Sequence, residues 1–427
     1  MSRMMKDSNN IWIGCIPVEW DIFKIKRYCK EIFPGATPQS TNPDFWDGDI
    51  NWIPSGSCHD SEIRTAPKTI TQEGYNNSST RLVPKNTALV AMTGATCGNT
   101  GFLLIDSCTN QSVTAYIEDK NICNSRYLWY VLQCSKEYLL SYKTGGAQSG
   151  INVENCKNIY VPLVPISEQI KISGYLDDKL QEINNIISKT QESIEEYKKL
   201  KQSIITQAVT KGVRGEREMK DSGIDWVGII PKEWDVTRIK NIYSLRDEKN
   251  YKPLEEVNLI SLYTDLGVVQ HSDLDKTTGN KASNADGYKM VYNDDIVVNI
   301  ILCWMGAIGK SDYFGVTSPA YDIYKPKDTV DSSFYHYYFR TNGFSGDCYK
   351  RGRGIMMMRW RTYSDQFRDI NVVFPPLEEQ KEIAEYIDEK IKEVDKIINK
   401  KELFISEMES FKKSLIYEYV TGKKEVV

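Results

Sequence analysis

The sequence predicts an α+β protein made of two tandem globular domains and two long helices, arranged as an internal duplication with pseudo-two-fold symmetry. Three observations support this. The start of the chain recurs 214 residues later, a second segment recurs at an offset of 211 residues, and both copies of that second segment carry apolar heptads. Each copy of the repeated unit spans about half of the 427 residues.

The two repeats lie at the ends of each unit. Residues 5–26 (MKDSNNIWIGCIPVEWDIFKIK) match residues 219–240 (MKDSGIDWVGIIPKEWDVTRIK) at 13 of 22 positions. Residues 165–210 match residues 376–421 without gaps at 18 of 46 positions. The repeats predict a globular domain over 1–164, a central helix over 165–213, a second globular domain over 214–374 and a C-terminal helix over 375–427.

The interior of each unit has diverged, and only weak anchors remain. Gly94–Ala95 matches Gly306–Ala307 at offset 212, and Lys143-x-Gly matches Lys350-x-Gly at offset 207. Short β-prone runs divided by turns, together with aromatic helical segments, indicate mixed α and β structure there. Matching ends around a variable middle favour one scaffold that presents two different recognition surfaces.

The second repeat predicts coiled-coil helices, because its apolar residues recur at alternating spacings of four and three. Each helix of about 40 residues would be ~60 Å long. We expect the two helices to cover each other's apolar seam and to pair antiparallel, as in a symmetric dimer. The alternatives are parallel pairing of the two helices and ordinary helix packing within a compact core. The predicted seam consists of Leu176, Leu180, Ile183, Ile187, Ile194, Ile387, Ile391, Val394, Ile398 and Ile405.

Composition excludes several classes of protein. The formal net charge is −4, so the whole chain gives no nucleic-acid signal, and three histidines make a histidine-based metal or acid–base centre a weak hypothesis. Ten cysteines without a C-x-x-C pair, behind a start that lacks an apolar signal core, predict reduced thiols in a cytoplasmic protein. The apolar stretch Ile296–Ile308 is too short to span a membrane.

Catalytic motifs also fail on inspection. Gly309-Lys310-Ser311 resembles the end of a phosphate-binding loop, but Trp304 stands where that loop needs glycine. Asn42–Phe45 departs from the Asn-Pro-Pro-Tyr/Phe loop of amino-methyltransferases at Asp44. We therefore predict no catalytic residue and no metal site.

Candidate DNA-contacting residues lie on two loops at equivalent positions. Arginines on a glycine-containing loop can reach phosphates or guanine edges, and a glutamine can pair with adenine, although a solvated basic loop is the alternative. The second unit offers Lys350, Arg351, Arg353, Arg359 and Arg361, and the first offers Lys143, Thr144, Gln148 and Ser149. A second surface of the first unit, near Gly35–Pro38, adds Asn51 and Ser55.

These residues resemble the specificity subunits of type I restriction–modification systems. The signature K-D-S-x-x-x-W-x-G-x-I-P-x-x-W occurs at Lys6–Trp20 and Lys220–Trp234. A second, P-[LI]-x-E-Q-x-x-I, occurs at Pro165–Ile172 and Pro376–Ile383. The run Gly35–Trp52 is similar to the start of many recognition domains in this family. The resemblance covers essentially the whole chain in the family's order.

The resemblance implies that each globular domain is a target-recognition domain that reads one half of a bipartite site in double-stranded DNA. The paired helices then act as a ruler that sets the spacer. Two modification subunits would bind S-adenosylmethionine and methylate adenine. Motor–endonuclease subunits, dependent on ATP and Mg²⁺, would join them, and this chain would bind no cofactor itself. The alternative from the residues alone is a duplicated adaptor that binds only proteins through its helices.

Overall fold

The computed structural model describes residues 3–143, 150–264, 266–270, 284–354 and 360–426. The chain forms two compact units, one from Met1–Thr190 with Leu403–Val427 and one from Gln191–Glu402. Each unit thus combines one globular region with parts of both long helices. The boundaries of recognition domains at 1–164 and 214–374 stay predictions.

The first unit contains two sheets and two separate strand pairs. A five-stranded sheet has the order β4-β11-β8-β9-β6, a three-stranded sheet has the order β10-β5-β7, and β1 pairs with β2 and β3 with β12. The strands are β1 Met5–Asp7, β2 Cys15–Pro17, β3 Asp21–Lys24, β4 Cys29–Pro34, β5 Trp46–Ile53, β6 Ser61–Ile63, β7 Lys68–Ile70, β8 Ala88–Ala91, β9 Thr100–Leu103, β10 Cys108–Thr109, β11 Val113–Glu118 and β12 Tyr160–Leu163. The helices are α1 Gln72–Asn76, α2 Ser125–Cys134, α3 Lys136–Leu140, α4 Val153–Asn158 and the first part of α5 Ile166–Lys211.

The second unit repeats this plan around a four-stranded sheet of order β16-β23-β20-β21, with β13 paired to β14, β15 to β24, β17 to β18 and β19 to β22. Its strands are β13 Met219–Asp221, β14 Ile229–Pro231, β15 Asp235–Arg238, β16 Tyr243–Arg246, β17 Ile260–Tyr263, β18 Gly267–Gln270, β19 Lys289–Val291, β20 Ile296–Asn299, β21 Ile308–Lys310, β22 Gly315–Thr317, β23 Tyr321–Pro326 and β24 Asn371–Phe374. Its helices are α6 Ile239–Ile242, α7 Ser332–Phe339, α8 Asn342–Arg351, α9 Ser364–Arg368 and much of α10 Leu377–Val420.

Strand register confirms the duplication. Lys6 pairs with Ile16 in the first hairpin, and Lys220 pairs with Ile230 in the second. The β3–β12 and β15–β24 pairs also share one register, and the sheet order β4-β11-β8-β9 corresponds to β16-β23-β20-β21. The scaffold of both units is therefore the same although their interior sequences differ.

The two long helices end alike and pair antiparallel, which confirms that prediction. After α5 and α10 the backbone turns through the left-handed conformation at Gly212 and Gly422, a common way to terminate a helix. In the second unit Tyr197 lies against Lys401, with 5.6 Å from the Nζ to the ring centroid. Further along α5, Lys201 Nζ lies 2.8 Å from an Asp395 carboxylate oxygen, so contacts advance along α5 as they retreat along α10.

The predicted seam residues are buried or half-buried. Tyr175 packs against Tyr419 at 4.6 Å between ring centroids in the first unit, where the seam continues into the core. Ile391 and Ile405 are half-buried. The remaining seam residues are buried, namely Leu176, Leu180, Ile183, Ile187, Ile194, Ile387, Val394 and Ile398.

Candidate functional site

The two predicted loops join their units at the same place, the end of a central strand. In the first unit the Ile151 amide donates to the Met92 carbonyl at 2.9 Å, one residue beyond β8. In the second unit the Thr362 amide donates to the Ile300 carbonyl at 2.9 Å, one residue beyond β20. Each loop therefore leaves a short helix, α3 or α8, and returns to the end of a central strand, β8 or β20, which is a suitable base for a binding loop.

The base of the second unit's loop is ordered by aromatic and backbone contacts. Arg353 and Arg361 form an antiparallel bridge in which each backbone amide donates to the other's carbonyl, at 2.8 and 3.0 Å. Beside this bridge the rings of Tyr349 and Trp360 stack at 5.1 Å between centroids, with 25° between their planes. The indole Nε1 of Trp360 donates to the Tyr349 carbonyl at 3.1 Å.

The basic side chains of this loop differ in their partners. Lys350 forms an exposed ion pair with Asp225 at 3.4 Å, which partly neutralises it. Arg351 and Arg353 are exposed and Arg361 is half-buried, and within the described part of the chain none of the three forms an ion pair. Arg359 lies outside the described residues. Three arginines thus remain available for an external anion or base.

A nearby carboxyl helps to hold α8 in place. The indole Nε1 of Trp226 donates to Asp347 at 2.7 Å, and burial raises the pKa of this aspartate while the indole and Lys350 oppose the shift. Because Trp226 belongs to the repeated N-terminal signature, the signature contacts the helix that leads into the loop.

The first-unit candidates are only partly brought together. Lys143 is exposed after α3, whereas Thr144, Gln148 and Ser149 lie outside the described residues. The carbonyl of Ser55 accepts from the Thr96 hydroxyl at 2.9 Å, which places Ser55 beside the turn between β8 and β9. The side-chain amide of Asn51 donates to the Asp106 carbonyl at 3.0 Å, so this group already connects strand β5 to the segment that precedes β10.

A polar pair at the same sheet end escaped the sequence analysis. The exposed Gln111 accepts a hydrogen bond from the Thr37 hydroxyl through its Oε1 atom. Among the described residues its amide N–H groups have no hydrogen-bond partner, so they can donate to a ligand. Gly35 and Met92 anchor the flanking backbone to Val113 and Ser112. The available signal was the polar run Asn110–Ser112 between two buried strands, which marks an exposed turn at a strand end.

The repeated signatures build the scaffold rather than the loops. In the first unit Arg3 contacts Glu168 at 2.5 Å and lies over the ring of Trp20. In the second unit Arg217 contacts Glu379 at 2.5 Å and lies over Trp234. The next residue of the P-x-x-E-Q signature, Gln169 or Gln380, accepts from the amide of the residue that caps α2 or α7.

Two features, a membrane-spanning helix and a cluster of metal ligands, are absent from the described residues. Among the helices of this part of the chain, none combines the length and apolar character needed to cross a bilayer. Nor do three or more His, Cys, Asp or Glu side chains gather there in a way that could hold a metal ion.

Comparison with known proteins points to one family. The family model of the type I restriction modification DNA specificity domain matches residues 17–196 and 231–407. The MjaVIII specificity subunit of a type I restriction enzyme from Methanocaldococcus jannaschii is 24% identical over 431 residues, covering 96% of this chain and 94% of that protein.

Solved structures show the same fold at low sequence identity. A chain from the assembly of a type I restriction–modification system superposes with a TM-score of 0.71 at 12% identity, covering 96% of this chain and 99% of that one. The HsdS subunit from Thermoanaerobacter tengcongensis gives a TM-score of 0.53 at 12% identity, covering 96% and 98%.

Proposed function

Because this chain belongs to the family of the type I restriction modification DNA specificity domain, we propose that it is the sequence-specific DNA-binding subunit of a type I restriction–modification complex. Each unit reads one half of a bipartite site in duplex DNA, and the antiparallel helices set the spacer between the halves. The observation that carries the proposal is that two matched scaffolds hold loops of different chemistry at one strand end.

The loop chemistry suits direct readout in the major groove. A guanidinium matches the O6 and N7 acceptors of guanine, and a glutamine amide matches the N6 and N7 atoms of adenine. The second unit offers Arg351, Arg353 and Arg361, and the first offers Gln111 with the polar loop after Lys143. Because the two units offer different side chains, we expect the two half-sites to differ in base composition.

The chemistry of modification and cleavage belongs to partner subunits under this proposal. Two modification subunits supply S-adenosylmethionine and methylate the DNA, and motor–endonuclease subunits use ATP and Mg²⁺. This chain contributes binding, orientation and the choice of site, and acts in the cytoplasm where the DNA lies. The resemblance of its signatures to those of specificity subunits supports this division of labour.

The first step of the test identifies the DNA target sequence. Methylation of the host genome is mapped with and without the gene, and the bipartite motif that disappears is the candidate site. The chain is then purified with its modification subunit, and affinity is measured for the cognate duplex and for duplexes with the first half, the second half or the spacer length altered.

We expect tight binding only when both halves and the spacer are correct. Mismatched base pairs typically cost about 1–3 kcal/mol each, so scrambling one half should weaken binding by several orders of magnitude at constant salt. Equal affinity for all duplexes, together with intact assembly on the modification subunit, would favour the adaptor and contradict the proposal.

A further inference from the structure

We propose that the stacked pair of Tyr349 and Trp360 positions the arginines of the second unit, and so sets specificity for one half-site without contacting a base. This inference rests on the proposed function and names the residues that make the loop selective. Tyr349 and Trp360 are positioning residues, whereas Arg351, Arg353 and Arg361 would meet the DNA.

The stack closes the base of the loop from both sides. Tyr349 is in the last turn of α8, and Trp360 immediately precedes Arg361 on the segment that returns to the sheet. Their rings stack at 5.1 Å, the Trp360 indole donates to the Tyr349 carbonyl at 3.1 Å, and the Arg353–Arg361 bridge lies beside them. Ring stacking, a side-chain hydrogen bond and a backbone bridge together fix where both chain segments leave the protein.

Gly352 is the residue that allows the two rings to meet. A Cβ atom at this position would lie 2.2 Å from the Trp360 Nε1 atom and 2.7 Å from its Cδ1 atom, far inside van der Waals contact. A rigid indole cannot give way without breaking its stack on Tyr349. Arg351 and Arg353 flank this glycine. The close approach of Gly352 to Trp360 therefore also constrains the backbone from which both arginine side chains extend.

We call the stacked rings of Tyr349 and Trp360, together with the Arg353–Arg361 bridge, the clamp. Further contacts attach the clamp to the central sheet. The hydroxyl of Thr362 donates to the Cys348 carbonyl at 2.9 Å, and its amide donates to Ile300 beyond β20. Trp304 packs on Tyr349 with 5.7 Å between ring centroids. The arginines are therefore held relative to the central strand, and holding a binding group in place before contact reduces the ordering cost at the interface.

The first unit has no such clamp in its sequence. At offset 207 Tyr349 corresponds to Tyr142, whose ring meets Tyr138 edge-on and whose hydroxyl donates to the Tyr138 hydroxyl at 2.7 Å. At offset 211 Trp360 corresponds to Ser149, which has no ring to stack. The clamp therefore belongs to one unit only, and the other half-site serves as an internal control.

The experiment measures two discrimination ratios on the complex with the modification subunit. Each ratio compares the cognate duplex with a duplex scrambled in one half, for the wild-type chain and for Trp360→Ala, Trp360→Leu and Trp360→Phe. Tyr251→Ala is the control variant, because this tyrosine of the same unit is 80% exposed. Thermal unfolding of each complex reports whether the fold is intact.

We expect Trp360→Ala and Trp360→Leu to lower discrimination at the second half-site about tenfold, the value of one well-placed base contact, while discrimination at the first stays within about twofold. Trp360→Phe keeps a stacking ring and should retain most of the discrimination at the second half-site. If Trp360→Ala fails to fold, Trp360→Leu, which keeps apolar volume, carries the test.

Unchanged discrimination at the second half-site in a folded Trp360→Leu complex overturns the proposal that the clamp positions the arginines. Equal loss at both half-sites also overturns it, because that pattern indicates general damage. A wild-type complex that discriminates neither half would contradict the proposed function itself, which separates the two failures.

Discussion

The carboxylate of Glu379, which has no exposed surface, lies 2.5 Å from the guanidinium of Arg217. Arg217 also covers the ring of Trp234, and Glu168 with Arg3 makes the equivalent contact in the first unit. The glutamates belong to the repeated P-x-x-E-Q signature. The signature therefore marks the joint between each long helix and its globular region, which explains why it is repeated while the loops are not.

Replacing Glu379 by alanine should destabilise the second unit strongly. The change leaves Arg217, only 13% exposed, with Glu233 at 2.7 Å as its remaining ion-pair partner, so we expect a loss of up to about 3 kcal/mol, the lower end of the cost of breaking a buried pair. Urea unfolding followed by tryptophan fluorescence measures the loss. The matched control is Glu382→Ala, whose exposed pair with Arg214 should contribute little. Equal effects of the two variants would contradict the structural role of Glu379.

The sequence predicted the scaffold well because scaffold residues obey periodic rules. Heptads identified both long helices, and repetition identified the matching halves. One anchor was wrong. The strand registers place Val298 at the position of Val90, so Gly306 corresponds to Gly98 and not to Gly94. Gly94 and Gly98 lie in the same turn between β8 and β9, so only the strand pairing shows which of them corresponds to Gly306.

The candidate site was less predictable because its contacts join distant segments without a periodic pattern. The loop arginines were visible as an acid-free run, but the bridge between Arg353 and Arg361 depends on backbone geometry. Gln111 meets Thr37 across 74 residues of sequence, and no local spacing signals that contact. The predicted DNA contacts of the loop residues stay predictions.

Replacing Arg353 and Arg361 by alanine should weaken DNA binding and reduce its dependence on salt. Each lost phosphate contact lowers the slope of log K against log salt by about 0.9, and a lost guanine contact costs about 1–3 kcal/mol at one position. Binding titrations at several salt concentrations separate the two roles. Lys232→Ala is the control, because this exposed lysine of the same unit pairs with Glu218 and is not among the candidate DNA contacts. Unchanged affinity and slope would exclude the loop as a DNA surface.

Replacing Gln111 by alanine should relax specificity at the first half-site only. The Thr37 hydroxyl fixes the Gln111 amide at the rim of the sheet, so the variant removes an oriented donor without disturbing the core. We expect about 1–3 kcal/mol less discrimination at one base position. Competition with duplexes singly substituted across the first half locates that position. Asn77→Ala is the control, because Asn77 is an exposed amide that donates to a carbonyl of its own helix. An effect in the second half-site would contradict the assignment.

The stability of the second unit should fall at mildly acid pH because of His336. Burial, with Arg340 and Lys310 nearby, lowers the pKa of His336 to about 3, while Asp312 opposes the shift, and Nδ1 accepts the Lys310 amide at 3.1 Å. In the unfolded chain the pKa returns to about 6.5. The unfolded state therefore takes up a proton first as pH falls. The stabilising contribution is complete above pH 6.5 and is lost progressively toward pH 3, by up to about 1.4 kcal/mol per pH unit.

Urea midpoints of the wild type and His336→Gln between pH 7 and 5 test this sign. The variant lacks the titrating ring but offers an acceptor to the Lys310 amide, so its midpoint should change less over this range. Parallel pH profiles for the two proteins would show that His336 does not remain neutral in the folded chain.

Lengthening both long helices by one heptad should change the preferred DNA spacer. The insertions are placed between Thr190 and Gln191 and between Glu402 and Leu403, where α5 and α10 pass from one compact unit to the other. Seven residues preserve the apolar seam and add about 10 Å of helix, which corresponds to at most about three base pairs. Binding to duplexes whose spacer varies one base pair at a time measures the shift. An insertion in one helix alone puts the seam out of register, so that variant should lose binding to every spacer. If the double insertion keeps the wild-type optimum, the helices do not set the spacer, and the distance between half-sites must be fixed by the modification subunits.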